Sequence, residues 1–283
     1  MTRRNFLASL LAPEPVIDIH QHTPYSGRTD EELVRHQETM GVTLSILLPA
    51  GKKYGLAAGA GGNDICVRLA KQYPQRFKFF ANEAPDEPDA RRTMEQYLKM
   101  GAIGIGEQKF PLDCDGPEVR KVAELARDFK VPVLLHFEHN TYNLGFNRFY
   151  RVLEKYPTVN FIGHAQTWWG NIDAALTQED LYPRTKVTPG GITDKYLANY
   201  PNMFADMSAG SGLNALLRDE DHARGFLDRH QNKLLYGSDC SDRDGKGDRC
   251  SGGKQLETIR RLAPNKAAER KILYENSKRL FRL

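Results

Sequence analysis

Apolar and polar positions follow a repeating order along this 283-residue chain: a short β-branched or aromatic run, a polar loop, then apolar residues at helical spacing. Eight such runs can be read. They are VIDIHQH from Val16, TLSILLP from Thr43, RFKFFAN from Arg76, AIGIGEQ from Ala102, VPVLLHF from Val131, VNFIGHA from Val159, MFADMSA from Met203 and LLYGSD from Leu234. Their starts lie 26 to 44 residues apart, the length of one strand plus one crossover helix. Eight βα units predict a single α/β domain over residues 16–283, a (β/α)8 TIM barrel.

The intervening segments fit this order. Thr29 followed by Asp30, Glu31 and Glu32 opens a helix, Leu33, Val34, Gln37 and Met40 give it a face, and Gly41 stops it. Asn63 or Asp64 is expected to cap the next, Asp89 to begin a third that ends near Met100, and Gly116-Pro117-Glu118 a fourth. The stretch from Ala267 to Phe281 closes the outer ring. Two loops are long: Gly51 to Asp64 after the second strand, where mobility is the expected reason for the glycines, and an insertion from Trp168 to Gly191 after the sixth. Neither carries the residue order of a phosphate or dinucleotide loop.

Composition adds limits. Hydrophobic residues at 40 % and charged residues at 27 % suit a packed core, and a net charge of +4, spread along the chain, is too mild to argue for nucleic acid. No apolar run approaches the ~18 residues that span a bilayer, so no membrane partner is expected. Residues 1–15 hold Thr2-Arg3-Arg4-Asn5-Phe6-Leu7, similar to a twin-arginine export signal, but Pro13 and the strand at Val16 leave little room for a cleavage site. This segment reads as a vestigial signal or equally as a short amphipathic helix, with the cytoplasm expected and the periplasm as alternative. Cys66, Cys114, Cys240 and Cys250 form no C-x-x-C pair; Cys240 and Cys250 bracket a polar loop and could pair in an exported protein, free thiols being the blander reading.

Residues two apart on a strand share a side, so Asp18, His20 and His22 are expected to point together into the barrel mouth. Most such histidine pairs are merely solvated or hydrogen-bonded. The other strand ends change the reading, because Glu107, His136, His164 and Asp239 each close an otherwise apolar strand. Burying such groups without partners costs about 2–7 kcal/mol apiece or more. Imidazoles and carboxylates together suit a divalent ion, zinc first and Mn, Fe or Mg as alternatives, with an open position for water. The set suffices for one ion or two.

His20-x-His22, His136, His164, Asp239 within Gly237-Ser238-Asp239, and the ending Glu275-Asn276-Ser277-Lys278-Arg279-Leu280-Phe281 resemble the amidohydrolase superfamily, in particular the amidohydrolase-related group that includes aminocarboxymuconate-semialdehyde-type decarboxylases. The resemblance runs from Asp18 to Leu283. It implies that His20, His22, His136 and Asp239 bind the principal ion, and that His164 is a second-ion ligand or the acid–base residue over the substrate. Glu107 departs from the decarboxylase-like pattern; TatD-type hydrolases have a carboxylate there that bridges two ions.

Hydrolysis of an amide, lactone or ester is the expected reaction, with Asp239 moving the proton of the attacking water and His164 polarising the carbonyl or protonating the leaving atom. A metal-dependent decarboxylase of an aromatic or unsaturated acid would use nearly the same residues, and a TatD-like phosphodiesterase would want a basic mouth, for which Lys52, Lys53, Lys109 and Arg243 are a thin basis. Lys109, Tyr142, Trp168, Trp169 and Arg243 are the expected substrate contacts, the tryptophans as a pocket wall or as packing over the mouth. The partner is a small molecule, and a homo-oligomer is allowed. Asp242 to Asp248 superficially resembles a calcium loop, but ordinary turn chemistry accounts for it. His36, His222 and His230 fall in helical segments, where surface or packing roles are the default.

Overall fold

The computed structural model describes residues 14–52 and 59–283. Residues 1–13, with the twin-arginine-like motif, and residues 53–58, with Lys53, lie outside the described residues. All eight anticipated strands form: β1 (Ile17–Gln21), β2 (Leu44–Leu47), β3 (Phe77–Phe79), β4 (Ile105–Gln108), β5 (Val133–His136), β6 (Phe161–His164), β7 (Met203–Asp206) and β8 (Leu234–Leu235). They pair in parallel as β1-β2-β3 and β4-β5-β6-β7-β8. Backbone bonds close both seams, from Ala81 N to Gly104 O (2.9 Å) between β3 and β4 and from Ile19 N to Tyr236 O (3.1 Å) between β8 and β1. The result is a closed (β/α)8 barrel.

Strands of this kind are covered on both faces, which is why their sequences read as short continuous apolar runs. One face builds the layer under the outer helices; the other fills the barrel with Ile17, Ile19, Ile46, Phe80, Leu134, Ile162, Phe204 and Leu235. Phe281 plugs the lower end from the C-terminal helix, its ring 5.7 Å from that of Phe80. The Glu275-Asn276-Ser277 motif has a structural part in this closure: Asn276 Nδ2 donates to Gln231 O (2.7 Å) and Leu234 O (2.9 Å), fixing the entry to β8.

Helix α1 (Asp30–Met40) has the capping box its sequence predicts, with Thr29 and Glu32 exchanging bonds, and ends at Gly41 with φ +74°. Helix α2 (Asn63–Gln72) differs from expectation: Gly62 is its N-cap, and Asn63 lies one residue inside. The Asn63 side chain instead exchanges bonds with the backbone of Asn82 beyond β3. Helices α3 (Ala90–Lys99) and α4 (Pro117–Phe129) follow β3 and β4. Two of the described glycines after β2 serve packing: a Cβ at Gly51 would lie 2.8 Å from the Phe110 ring, and one at Gly61 2.5 Å from Thr23 O, whereas Gly59 has open space around it. A short helix α5 (Tyr150–Lys155) links β5 to β6; the insertion after β6 is present as α6 (Gln166–Gly170) and an irregular path to α7 (Ile192–Asn199). No helix among the described residues is long and apolar enough to cross a membrane.

Candidate metal centre

Two strands break the period-2 rule where the site is built. Between Asp18 and Gln21, β1 gains one residue on β2, and between Ile105 and Gln108, β4 gains one on β5. Such a bulge re-aims every side chain beyond it. In β1 it lets Ile17 and Ile19 fill the barrel and still turns His20 and His22 inward. Asp18 consequently does not share their side, contrary to the alternation rule. It is fully buried toward α1 and β8, accepting from Gln37 Nε2 (3.1 Å), Ser238 N (2.8 Å) and Ser238 Oγ (2.5 Å). In β4 the bulge is made at Gly106, with φ +143° and no room for a Cβ, which would lie 2.8 Å from Leu134 O. Glu107 is thereby aimed at the centre.

His20, His22, Glu107, His136, His164 and Asp239 all converge at the C-terminal end of the barrel. Glu107 divides its oxygens between two groups. Its Oε2 lies 3.7 Å from His20 Nε2 and 3.6 Å from His22 Nε2, whereas Oε1 lies 2.6 Å from His136 Nδ1 and 3.8 Å from His164 Nε2. Asp239 divides similarly: Oδ1 is 3.5 Å from His22 Nε2, and Oδ2 is 3.8 Å from His164 Nε2. His20, His22 and Asp239 form one set of closely spaced donors, and His20, Glu107 and His164 another.

Tautomers follow from the outer partners. Leu48 O can only accept, so His22 Nδ1 donates to it at 2.8 Å; His20 Nδ1 donates to Asp206 Oδ2 at 2.6 Å. The two Nε2 atoms face each other across 3.1 Å, a spacing bridged either by a proton on His20 donated to His22 or by a cation in its place. His136 has a carboxylate at each nitrogen, Glu107 at 2.6 Å and Glu138 at 3.1 Å; at the shorter contact Nδ1–H donates to Glu107 Oε1, a proton that a cation between them would replace. These residues fit a divalent ion.

The electrostatics agree. Burial opposes charge on Glu107, but His136 and Lys109 hold its carboxyl well below the usual range. Burial likewise opposes charge on His20, and Asp239 and Asp206 overcome it, so its pKa stands well above the ordinary value. Burial pushes His164 down to about 4. His164 is then a neutral imidazole at pH 7, whose Nδ1 is taken up by Ser208 Oγ (3.1 Å); this suits a ligand better than a proton donor. Burial opposes the ionised form of Asp239, which His20 and His22 favour with the net effect of a lowered pKa.

Several residues in the site have no counterpart in the sequence reading. Asp206, fully buried at the end of β7, accepts from His20 and, through Oδ1, from Ser208 N (2.9 Å). It closes MFAD as the other site residues close their strands, so the same signal was available. Tyr25, three residues past His22, donates its hydroxyl to Asp239 Oδ1 at 2.9 Å. Tyr182, in the inserted loop, stands near Glu138, Asp239 and Lys109, and no sequence motif marks it.

Among the expected substrate contacts, Lys109 and Tyr142 do reach the mouth: Lys109 Nζ sits 5.5 Å from the Tyr142 ring centre, which is 5.4 Å from that of His136. Trp168 and Trp169 do not form a pocket wall. At 0 % and 2 % exposure they are core, Trp168 stacked on Phe137 and Trp169 donating Nε1–H to Asp206 O at 3.0 Å, because the chain turns into α6 immediately after β6. Arg243 turns outward to Glu32 at 3.0 Å and Gly27 O, away from the ligand set. The Asp242 to Asp248 loop is a turn in which Asp242 Oδ2 accepts from the backbone of Asp244 and Gly245.

A family model described as amidohydrolase matches residues 17–283. This chain belongs to the amidohydrolase family. Similar solved structures share its fold at low identity. An uncharacterised TIM-barrel protein from Bordetella bronchiseptica has a TM-score of 0.68 at 16 % identity, covering 95 % of this chain and 98 % of its own. A probable 2-pyrone-4,6-dicarboxylic acid hydrolase from Acinetobacter baumannii, with citric acid bound, has 0.63 at 16 %, covering 95 % and 99 %. A 5-carboxyvanillate decarboxylase from Novosphingobium aromaticivorans, complexed with manganese and a nitrobenzoic acid, has 0.57 at 15 %, covering 89 % and 79 %. No curated protein matches.

Gly237 of the amidohydrolase Gly-Ser-Asp segment is required by close approach. A Cβ there would lie 2.3 Å from Asp206 Oδ1 and 3.0 Å from the Cβ of His20. Gly237→Ala is expected to cost about 1–3 kcal/mol by overpacking, seen as a lower urea midpoint, together with weakened ion binding. An unchanged midpoint would show that the strand end has room to give.

Proposed function

We propose that this amidohydrolase is a metal-dependent hydrolase with a two-ion centre, opening a C–N or C–O bond of an amide, lactone or ester in a small carboxylated substrate. One observation carries the reading: Glu107 presents one oxygen to His20 and His22 and the other to His136 and His164. His20, His22 and Asp239 would hold one ion, His136 and His164 the other, with Glu107 between them. Zinc suits the nitrogen and oxygen donors, and manganese in one fold neighbour makes it the alternative. When bound, such ions polarise a carbonyl and bring the pKa of water toward neutrality.

The chain's own residues supply proton movement and orientation. Asp239 is the member of the set with an exposed side, 16 % accessible, so it meets a ligand entering the mouth. It takes a proton from the attacking water and returns it to the leaving nitrogen or oxygen. Asp239 itself and burial hold the Tyr25 phenol far above its ordinary pKa, so it stays protonated and fixes the Asp239 carboxylate by donation. Burial works against the Lys109 ammonium, but Glu107 and Asp239 keep it charged and raise its pKa, suiting it to a substrate carboxylate. The dicarboxylic acid in one neighbour's name agrees with that preference.

The test is an activity screen of chelator-treated protein, with and without added Zn2+ or Mn2+, against lactones, amides, esters and aromatic carboxylic acids. Hydrolysis restored by the ion supports the reading. Carbon dioxide release from the aromatic acids without hydrolysis would replace it with a decarboxylase, and activity indifferent to chelation would end the metal-dependent account.

A further inference from the structure

A second cluster of metal-ligating side chains lies outside the barrel mouth. His36 on α1, Cys240 directly after Asp239, and Cys250 at the N-cap of α10 (Ser251–Leu262; α8, Ala209–Leu217, and α9, Glu220–His230, precede it) meet under the outer layer. All three are at most 2 % exposed. Cys240 Sγ is 3.7 Å from Cys250 Sγ, and Cys250 Sγ is 3.6 Å from His36 Nε2. Met40, one turn after His36 on the same face, places its sulfur 3.6 Å from Cys250 Sγ.

We propose that His36, Cys240 and Cys250 form a structural site for a thiophilic divalent ion of the zinc class, with the Met40 thioether at the fourth position. Tetrahedral zinc with Zn–S near 2.3 Å and Zn–N near 2.0–2.1 Å sets ligand edges of about 3.75 Å between two sulfurs and about 3.55 Å between sulfur and nitrogen. The observed 3.7 and 3.6 Å match those edges. They do not match a disulfide, whose sulfurs stand ~2.05 Å apart. Charge favours a divalent ion over Cu(I): two thiolates with +2 leave a buried site neutral, whereas +1 leaves an uncompensated charge. A surface cavity of about 330 Å³, bounded by Thr39, Met40, Gly253 and Leu256, lies on the Met40 side of the cluster.

The site would have a definite mechanical result. It ties α1 and the start of α10 to the residue adjoining Asp239, so the loop that follows Asp239, from Cys240 to Cys250, is anchored at both ends. Arg28 adds to this anchorage, donating to Cys240 O at 2.7 Å. Sequence could not show the site, because the ligands come from three elements with no zinc-knuckle spacing.

Cobalt(II) distinguishes this site from the mouth, where only nitrogen and oxygen donors are available. Full-length protein, reduced, stripped with chelator and titrated with Co2+, is expected to develop thiolate-to-cobalt charge-transfer absorption in the near ultraviolet. The band should persist in His20→Ala/His22→Ala, vanish in Cys240→Ser and Cys250→Ser, and be displaced by Zn2+. Absence of the band in wild-type protein with all thiols reduced would overturn the proposal. So would an intact mass two hydrogens short in the freshly purified protein, with both Cys240 and Cys250 in a disulfide. The wild-type arm decides even where a serine variant fails to fold.

Discussion

Asp239→Asn is expected to lower kcat by about 10²- to 10⁴-fold, the range for loss of a positioned acid–base group, with little change in thermal midpoint. Asp239 has a left-handed backbone, φ +42°, which asparagine tolerates nearly as well as aspartate. The amide oxygen can still accept from the Tyr25 hydroxyl, so the side chain keeps its place. What is lost is the carboxylate that faces His22 through one oxygen and His164 through the other. Steady-state kinetics beside a melting curve read the two effects separately. A variant that keeps more than a tenth of wild-type kcat would remove Asp239 from the proton-transfer role.

Asp206→Ala is expected to weaken divalent-ion binding by about 10- to 100-fold, the usual cost of removing the partner behind a ligating histidine. Asp206 touches no position where substrate would sit. It acts through His20, accepting from Nδ1 at 2.6 Å, and through Ser208, whose N–H and hydroxyl both reach it at 2.9 Å. Alanine leaves Ser208 N–H without its acceptor, at about 1–3 kcal/mol, and leaves His20 Nδ1 only its 3.2 Å contact with Ser208 Oγ, which frees the His20 ring to change tautomer. Isothermal titration with Zn2+ gives the affinity, and urea unfolding of chelator-treated protein gives the stability. Asp206→Asn, able to keep the bond from Ser208 N, should fall between. Wild-type ion affinity in Asp206→Ala would show that His20 needs no support.

The barrel was legible in the chain because a strand buried on both faces must be a short apolar run, and the eight runs recur at one strand-plus-helix length. The convergence of the strand-end residues was legible for a related reason: His136, His164 and Asp239 interrupt apolar runs where an unpartnered polar group is costly. Alternation failed at the two bulges. Extrapolating period 2 from His20 puts Asp18 in the mouth, whereas the extra residue in β1 sends it to Gln37 and Ser238. Trp168 and Trp169 misled because a residue after a strand was read as loop, while here the chain enters α6 at once and buries both rings. The cluster of His36, Cys240 and Cys250 joins residues more than 200 positions apart, and only the closed barrel brings them together.

Metal per chain tests the two-ion account most directly. Elemental analysis of wild-type protein, Glu107→Ala and Cys240→Ser/Cys250→Ser separates the mouth from the thiolate cluster, because the serine variants retain every mouth ligand. Measured in the Cys240→Ser/Cys250→Ser background, the account predicts two ions per chain, falling to one when Glu107→Ala is added, with Glu107 no longer spanning the His20/His22 and His136/His164 groups. One ion per chain in that background both with and without Glu107 would contradict it.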